Sequence, residues 1–248
     1  MDMNRVKLTI AYDGTAYHGW QYQPEVATIE GELRRALVDL LGVETAVIGA
    51  SRTDAGVHAL GNVAVFDMTG PIPAEKMAQA LNRHLPPDIR ILESVKVAPD
   101  FHPRKVSCQK TYEYRIWHTP IAWPTQRLYH YFIHYPLDEK KMQTAAAYIV
   151  GEHDFKSFCS ADAVVESTIR TIFDATVHTE NNGREIVIRI TGSGFLYNMV
   201  RIIVGTLINV GAGRYPPEHL KDIIALRDRT AAGPTVPPHG LTLMGYEF

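Results

Sequence analysis

The residues best suited to chemistry lie together in one polar stretch, residues 49–58, between two apolar runs. The stretch combines a cation, a carboxylate and an imidazole, namely Arg52, Asp54 and His58. Its two glycines permit backbone conformations that side chains forbid, so a loop between two strands can be tight here. A carboxylate held on such a loop can act as a nucleophile or stabilise a developing positive charge. The alternative is an ordinary polar turn with a surface ion pair, which is common and contributes little.

Several other kinds of catalysis lack support in the sequence. No glycine-rich phosphate loop precedes a helix, and no paired histidines and cysteines occur at the spacing of metal ligands. Two cysteines are present, Cys108 and Cys159, which are too few for a disulfide framework. We therefore expect a reduced, cytoplasmic setting.

The composition is that of a soluble globular protein. The 248 residues are 46% hydrophobic and 21% charged, with a formal net charge of -2, and suffice for one large domain or two small ones. This charge does not indicate a nucleic-acid partner. A local basic cluster is formed by Arg104, Lys105, Lys110 and Arg115, but a solvated face explains it equally well. The most apolar run, residues 195–210, is short and contains Arg201, so it predicts a buried helix and no membrane partner.

The elements that must position the loop follow the order strand, helix, strand, strand, helix, strand. A helical period between Thr28, a plausible N-cap, and Gly42, a stop signal, predicts the first helix. The other predicted elements are strands over 6–12, 45–49, 61–68 and 89–97, and a helix that begins at Pro73 and ends by Pro86. This is the order of a ferredoxin-like, split βαβ unit.

A similar order of elements returns after a junction at residues 99–104. The predicted elements are strands over 111–117, 169–177, 186–190 and 241–248, a looser strand within 126–135, and helices after Asp138, over 195–210 and over 218–227. The sequence thus predicts an α+β protein with antiparallel sheets in two ferredoxin-like halves. Residues 1–104 carry the Asp54 loop, and residues 105–248 complete a cleft.

Five segments, taken in order, resemble those of the TruA-type tRNA pseudouridine synthases. They are Tyr12-Asp13-Gly14-Thr15 with Trp20-Gln21, the loop at 52–58, the run at 110–114, the run at 194–201, and Asp228-Arg229-Thr230 followed by Gly240-Leu241. The resemblance covers nearly the whole chain without a large insertion. The sequence departs modestly from the family pattern at residues 102–108, which concerns local RNA contacts and not the chemistry, and it varies slightly at residues 234–238.

This resemblance implies an isomerase that breaks the N-glycosidic bond of a uridine, turns the base and rejoins it through carbon 5. It implies uridines at positions 38 to 40 of tRNA, in the anticodon stem-loop, as the substrates. It also implies a homodimer, RNA-recognition-like halves around a central RNA-binding cleft, and no metal or organic cofactor.

The resemblance further implies the catalytic residues. Asp54 matches the catalytic aspartate, and Arg201 matches the cation that keeps this carboxylate ionised when bound RNA excludes water. Tyr112 matches the active-site tyrosine, which stacks on the uracil and can assist removal of the proton from carbon 5. From the residues alone, Arg201 is equally well a snorkelling side chain at a helix edge. For Tyr112, the residues alone favour an ordinary strand aromatic that packs in the core.

Three more residues are implied in substrate binding. Arg52 matches the residue that occupies the space left when the target base is flipped out of its helix. Leu243 matches an apolar residue lining the pocket, although a core leucine fits the pattern equally well. His58 has no evident cysteine or serine nucleophile to activate, so we interpret it as a loop-fixing or RNA-facing residue.

Two rival functions are considered. A non-catalytic RNA-binding protein with two sheet-faced modules would use the aromatic and basic residues but would have no need for Asp54 beside Arg52. A hydrolase with Asp54 as nucleophile would need a second acid or base. Asp13 is the nearest candidate, but its motif is more simply a turn.

Overall fold

A computed structural model of the chain describes residues 3–160 and 166–248. It divides into two compact units, Met1–Cys108 together with Leu243–Phe248, and Gln109–Thr242. The fold is mixed α+β and its strand pairs are mostly antiparallel, which confirms the α+β class and the antiparallel pairing that the sequence predicts. Among the described residues, no helix has the length and apolar character that crossing a membrane requires.

The first unit contains the predicted order of elements. They are β1 (Asn4–Tyr12), α1 (Ile29–Leu41), β2 (Ile48–Gly49), β3 (His58–Met68), α2 (Met77–Leu81) and β4 (Ile89–Val97). Strand β1 lies between β4 and β3, and β2 pairs with the other side of β3; all of these pairs are antiparallel. The loop that carries Asp54 therefore connects two paired strands.

Local sequence explains the first strand and the first helix. Val6, Leu8 and Ile10 alternate along β1 and are fully buried, as a period of two requires of a strand packed on one face. The Thr28 hydroxyl accepts a hydrogen bond from the backbone N–H of Gly31, and Gly42 ends α1 with a φ of 74°. Both predicted ends of this helix are confirmed.

The second unit contains a longer series of elements. They are β5 (Gln109–His118), β6 (Tyr131–Ile133), α3 (Glu139–Ala146), β7 (Gly151–Asp154), β8 (Ile169–Glu180), β9 (Glu185–Gly192), α4 (Met199–Gly211), α5 (His219–Leu226) and the start of β10 (Leu241–Glu247). Strand β9 lies between β5 and β8, β7 pairs with β8, and β6 runs parallel to β5. The side-chain oxygen of Asp138 caps α3, as predicted.

Some predicted bounds were wrong. The helix expected over 195–210 begins at Met199, because Asn198 has a left-handed backbone with a φ of 60°, a conformation that asparagine tolerates better than most residues. The strand expected over 45–49 is reduced to Ile48–Gly49. Strand β7 was not predicted, since its sequence is polar and too short to show apolar alternation.

Candidate active site

The backbone of the Asp54 loop is fastened to the segment that follows β1. Trp20 donates its backbone N–H to the Thr53 carbonyl at 3.0 Å, and Gly56 donates to the Tyr17 carbonyl at 3.2 Å. Within the loop, the N–H of Val57 donates to the Asp54 carbonyl at 3.1 Å. These bonds fix the backbone on both sides of the carboxylate.

Two glycines of that preceding segment allow the close approach. A Cβ atom on Gly14 would lie 2.1 Å from the carbonyl oxygen of Val57, and one on Gly19 would lie 2.5 Å from that of Thr53. Gly19 also has a φ of 86°, which a side chain would make costly. The motif at residues 12–20 is therefore the backbone support of the Asp54 loop.

A buried polar network lies beneath the loop. The hydroxyls of Tyr12 and Thr53 are 2.7 Å apart. The Asn62 side chain donates to Tyr12 Oη at 3.1 Å and to the Ser51 carbonyl at 3.2 Å, and it accepts from the Tyr246 hydroxyl at 3.3 Å. Sequence analysis missed Asn62, although a fully buried asparagine inside the apolar run of β3 is itself a signal of a specific hydrogen-bonding role.

The loop directs its charged side chains outward. Thr53 is buried, Asp54 is half-buried and Arg52 is exposed. Arg104 donates from Nε to the Gly49 carbonyl at 2.7 Å, at the start of the same loop. Burial and then the nearby positive charge of Arg52 lower the pKa of Arg104, yet an arginine stays charged in proteins. Two like charges thus lie close together at this loop, which suits an anionic ligand.

His58 is buried and joins the two supporting segments. Its Nδ1 atom lies 3.0 Å from the backbone nitrogen of Gly14 and 3.2 Å from Asp13 Oδ1. Nδ1 accepts the hydrogen of the Gly14 backbone N–H, so it carries no hydrogen of its own. Asp13 Oδ1 in turn accepts from the backbone and hydroxyl of Thr15 at 3.0 and 2.6 Å. Asp13 therefore belongs to a turn, which agrees with the simpler interpretation of its motif.

Tyr112 lies in the second unit, on β5. Its side chain is 8% exposed, and its ring meets Phe195 edge to face, with centroids 5.1 Å apart and an interplanar angle of 83°. Such a pair fixes the plane of both rings. By contrast, Tyr114 is fully buried and donates its hydroxyl to the Pro237 carbonyl at 2.8 Å; burial raises its pKa. Tyr114 has a structural role.

Arg201 lies in the first turn of α4 and is held in place. Its Nε atom donates to the Val236 carbonyl at 2.8 Å, and Nη1 donates to Asn198 Oδ1 at 2.7 Å. Asn198 in turn donates to the Ser160 hydroxyl at 2.8 Å. A cation near the N-terminus of a helix opposes the helix dipole, so Arg201 is poorly placed for stabilising α4. Because hydrogen bonds hold its guanidinium in place, Arg201 is better suited to binding an anion than a flexible arginine on the surface would be.

The six predicted site residues divide between the units. The first unit contains Arg52, Asp54, His58 and Leu243, of which the first three share the loop and its entry into β3. Leu243 is fully buried, as a core leucine would be. The second unit contains Tyr112 and Arg201. Within the described part of the chain, no group of three or more histidine, cysteine, aspartate or glutamate side chains is arranged to hold a metal ion.

Comparison with known proteins adds to this geometry. The family model described as tRNA pseudouridine synthase matches residues 8–104 and 145–248. A tRNA pseudouridine synthase A from Caldicellulosiruptor bescii is 47% identical over 242 residues, and one from Thermoanaerobacter sp. strain X514 is 46% identical over 242; each match covers 98% of both chains. The same enzyme from Halalkalibacterium halodurans is 46% identical over 240 residues, covering 96% of this chain and 90% of the relative.

These matches and the Asp54 loop define one class of protein, the pseudouridine synthases, which are isomerases. The chain belongs to the tRNA pseudouridine synthase family.

Proposed function

We propose that the protein isomerises uridine to pseudouridine at positions 38 to 40 in the anticodon stem-loop of tRNA. It acts in the cytoplasm, as a homodimer, without a metal or organic cofactor. The observation that carries this proposal is the Asp54 loop, whose carboxylate is half-buried on a backbone fixed by hydrogen bonds in a chain that matches tRNA pseudouridine synthases over nearly its full length.

The proposed reaction needs no external reagent. The bond between ribose C1′ and uracil N1 breaks, the uracil turns, and a bond forms between C1′ and C5. A proton leaves C5 and N1 gains one, so the product is an isomer of the substrate. Asp54 either attacks the sugar as a nucleophile or stabilises the positive charge that develops on it. Both roles need the ionised carboxylate.

Four further residues complete the proposed site. Arg201 favours the ionised form of Asp54, since a neighbouring cation favours a carboxylate. Tyr112 stacks on the turned uracil and assists loss of the C5 proton. His58 holds the loop, and Leu243 lines the uracil pocket. We also propose that residues 1–104 and residues 105–248 are two RNA-recognition-like, ferredoxin-like halves with a central RNA-binding cleft.

Arg52 is proposed to stabilise the flipped-out nucleotide. A base paired in the anticodon stem is not accessible until it leaves the helix. The exposed guanidinium of Arg52 can stack in the vacated space, while Arg104, held against the Gly49 carbonyl, adds positive charge for the phosphates.

The test is incubation of the purified protein with an unmodified tRNA transcript, followed by mapping of pseudouridine. We expect product at one or more of positions 38 to 40 and none elsewhere in the transcript. A transcript whose uridines at these positions are replaced by cytidine is the matched control. Binding of tRNA without any product would contradict the proposal and favour a non-catalytic RNA-binding protein.

A further inference from the structure

An aromatic pocket lies in the second unit, and none of the proposed catalytic residues lines it. Its volume is about 220 Å³, and Trp117, Trp123 and His130 form its aromatic wall. The ring centroids of Trp117 and Trp123 are 5.0 Å apart, and those of Trp117 and His130 are 5.5 Å apart at a near-perpendicular angle. Trp117 and His130 are buried, whereas Trp123 is 43% exposed at the mouth.

Two buried polar atoms in this wall lack hydrogen bonds. Trp117 Nε1 and His130 Nδ1 have no partner among the residues that the structure describes. Buried polar groups are paired in most proteins, because an unpaired one costs free energy. Each of the two atoms exposes less than 1 Å² of surface, so a ligand that offers an acceptor and a donor would bond to both once the two rings shift toward it.

The ionised Glu185 side chain sets which role each atom plays. His130 Nε2 lies 2.7 Å from Glu185 Oε1. Burial raises the pKa of Glu185, but hydrogen bonds from His130 and Arg115 outweigh this effect and hold that pKa below its usual range. A carboxylate accepts, so His130 Nε2 carries the hydrogen that it donates to Glu185. The wall of the pocket therefore contains a donor at Trp117 Nε1 and a second ring nitrogen, His130 Nδ1, that is not used by Glu185.

The size and charge of the pocket narrow the class of ligand. Pockets for drug-sized ligands measure roughly 300–1,000 Å³, so about 220 Å³ suits a single planar ring system. Two exposed cations flank the mouth: Arg127 lines the pocket, and the Arg184 guanidinium lies 5.6 Å from the Trp123 ring centroid. A flat ring with a donor and an acceptor on its edge, joined to a phosphate, is a nucleotide.

We propose that this pocket binds one unpaired nucleobase of the tRNA, a nucleotide other than the one that is isomerised. The base stacks on Trp123 and its edge bonds to Trp117 Nε1 and His130 Nδ1, while Arg127 and Arg184 contact its phosphate. Because every nucleobase has adjacent donor and acceptor groups or can present them, the pocket recognises an unpaired base and not one particular base. The inference rests on the proposed function, since it takes tRNA as the ligand.

The test measures two quantities with full-length protein and an unmodified tRNA transcript: the Kd, and the single-turnover rate at saturating tRNA. Stacking on an aromatic side chain predicts that Trp123→Ala raises the Kd about five- to hundredfold, with the saturated rate unchanged and Trp123→Phe less affected. His130→Gln keeps a donor toward Glu185 and removes Nδ1, so we expect its Kd to rise as well. Ile121→Ala is the matched control, because Ile121 is 75% exposed nearby and is absent from the pocket wall.

Unchanged Kd values in Trp123→Ala and His130→Gln would overturn the proposal. An unchanged Kd with an altered oligomeric state in Trp123→Ala would also overturn it and assign this surface to a protein contact. Trp123 is exposed, so its variant tests the idea even where His130→Gln fails to fold. Failure of the proposed function is a separate outcome: wild-type protein without product, but with tRNA affinity lost in Trp123→Ala, would still support the pocket.

Discussion

The Tyr12 and Thr53 hydroxyls form a buried hydrogen bond of 2.7 Å, one residue before the carboxylate of Asp54. Because Tyr12 ends β1 and Thr53 lies in the loop before β3, this bond joins two segments that are 41 residues apart. Asn62 donates to the same Tyr12 oxygen. The position of Asp54 thus depends on Tyr12, a residue that holds the loop and takes no part in the reaction.

Tyr12→Phe should destabilise the protein and slow turnover together. The change leaves Thr53 and Asn62 with fewer buried partners, which costs about 1–3 kcal/mol of unfolding free energy, and it loosens the loop. Tyr17→Phe is the matched control, because its hydroxyl donates at 2.8 Å to Asp88, which lies outside the Asp54 loop. Urea unfolding and single-turnover assays would separate the two variants. Equal turnover of Tyr12→Phe and Tyr17→Phe would contradict the positioning role.

Arg52→Ala should reduce the single-turnover rate more than it weakens tRNA binding. Phosphate contacts elsewhere supply most of the binding free energy, whereas the flipped state depends on this side chain. Lys105→Ala, which removes an exposed cation next to Arg104, is the control and should mainly change the salt dependence of the Kd. A saturated rate for Arg52→Ala equal to that of wild type would remove the flipping role.

Removal of the Arg201 guanidinium should change the pH dependence of catalysis. If this cation favours ionised Asp54, its loss raises the pKa of that carboxylate, and the neutral, inactive form then persists to higher pH. We therefore expect the acid limb of the single-turnover pH profile to move to higher pH in Arg201→Ala. Arg201→Lys keeps the positive charge but loses the forked guanidinium that bonds to Val236 and Asn198. The acid limb of its pH profile should therefore move less than that of Arg201→Ala. An acid limb at the wild-type position in both variants would exclude this role.

The contacts of Arg201 also show what the sequence could not reveal. The ends of α1 were predictable because Thr28 and Gly42 act on their own helix through local capping. The anchoring of Arg201 depends on Val236, 35 residues away, and the need for glycine at position 14 depends on the Val57 carbonyl. Contacts between residues so far apart in the chain leave no local pattern in the sequence. The site residues were predicted from a family resemblance, whereas Asn62 and the aromatic pocket followed from the structure.

Tyr112→Phe separates two roles of the tyrosine. Phenylalanine keeps the ring and its edge-to-face contact with Phe195, so a purely stacking residue would retain a rate within about threefold of wild type. General-base assistance is worth roughly two to four powers of ten in rate. We expect Tyr112→Phe to show the larger of these two losses of rate. Tyr112→Leu should be slower still and should also bind tRNA more weakly. A single-turnover rate near wild type at saturating tRNA would leave stacking as the whole role.

The central claim is that Asp54 performs the chemistry of uridine isomerisation. Its most direct test maps pseudouridine in an unmodified tRNA transcript after incubation with wild-type protein or with Asp54→Asn, a nearly isosteric change. Circular dichroism and a tRNA-binding assay should show that the variant folds and binds as wild type does. We expect product at positions 38 to 40 with wild type and none with Asp54→Asn. Product formation by Asp54→Asn near the wild-type rate would contradict the assignment.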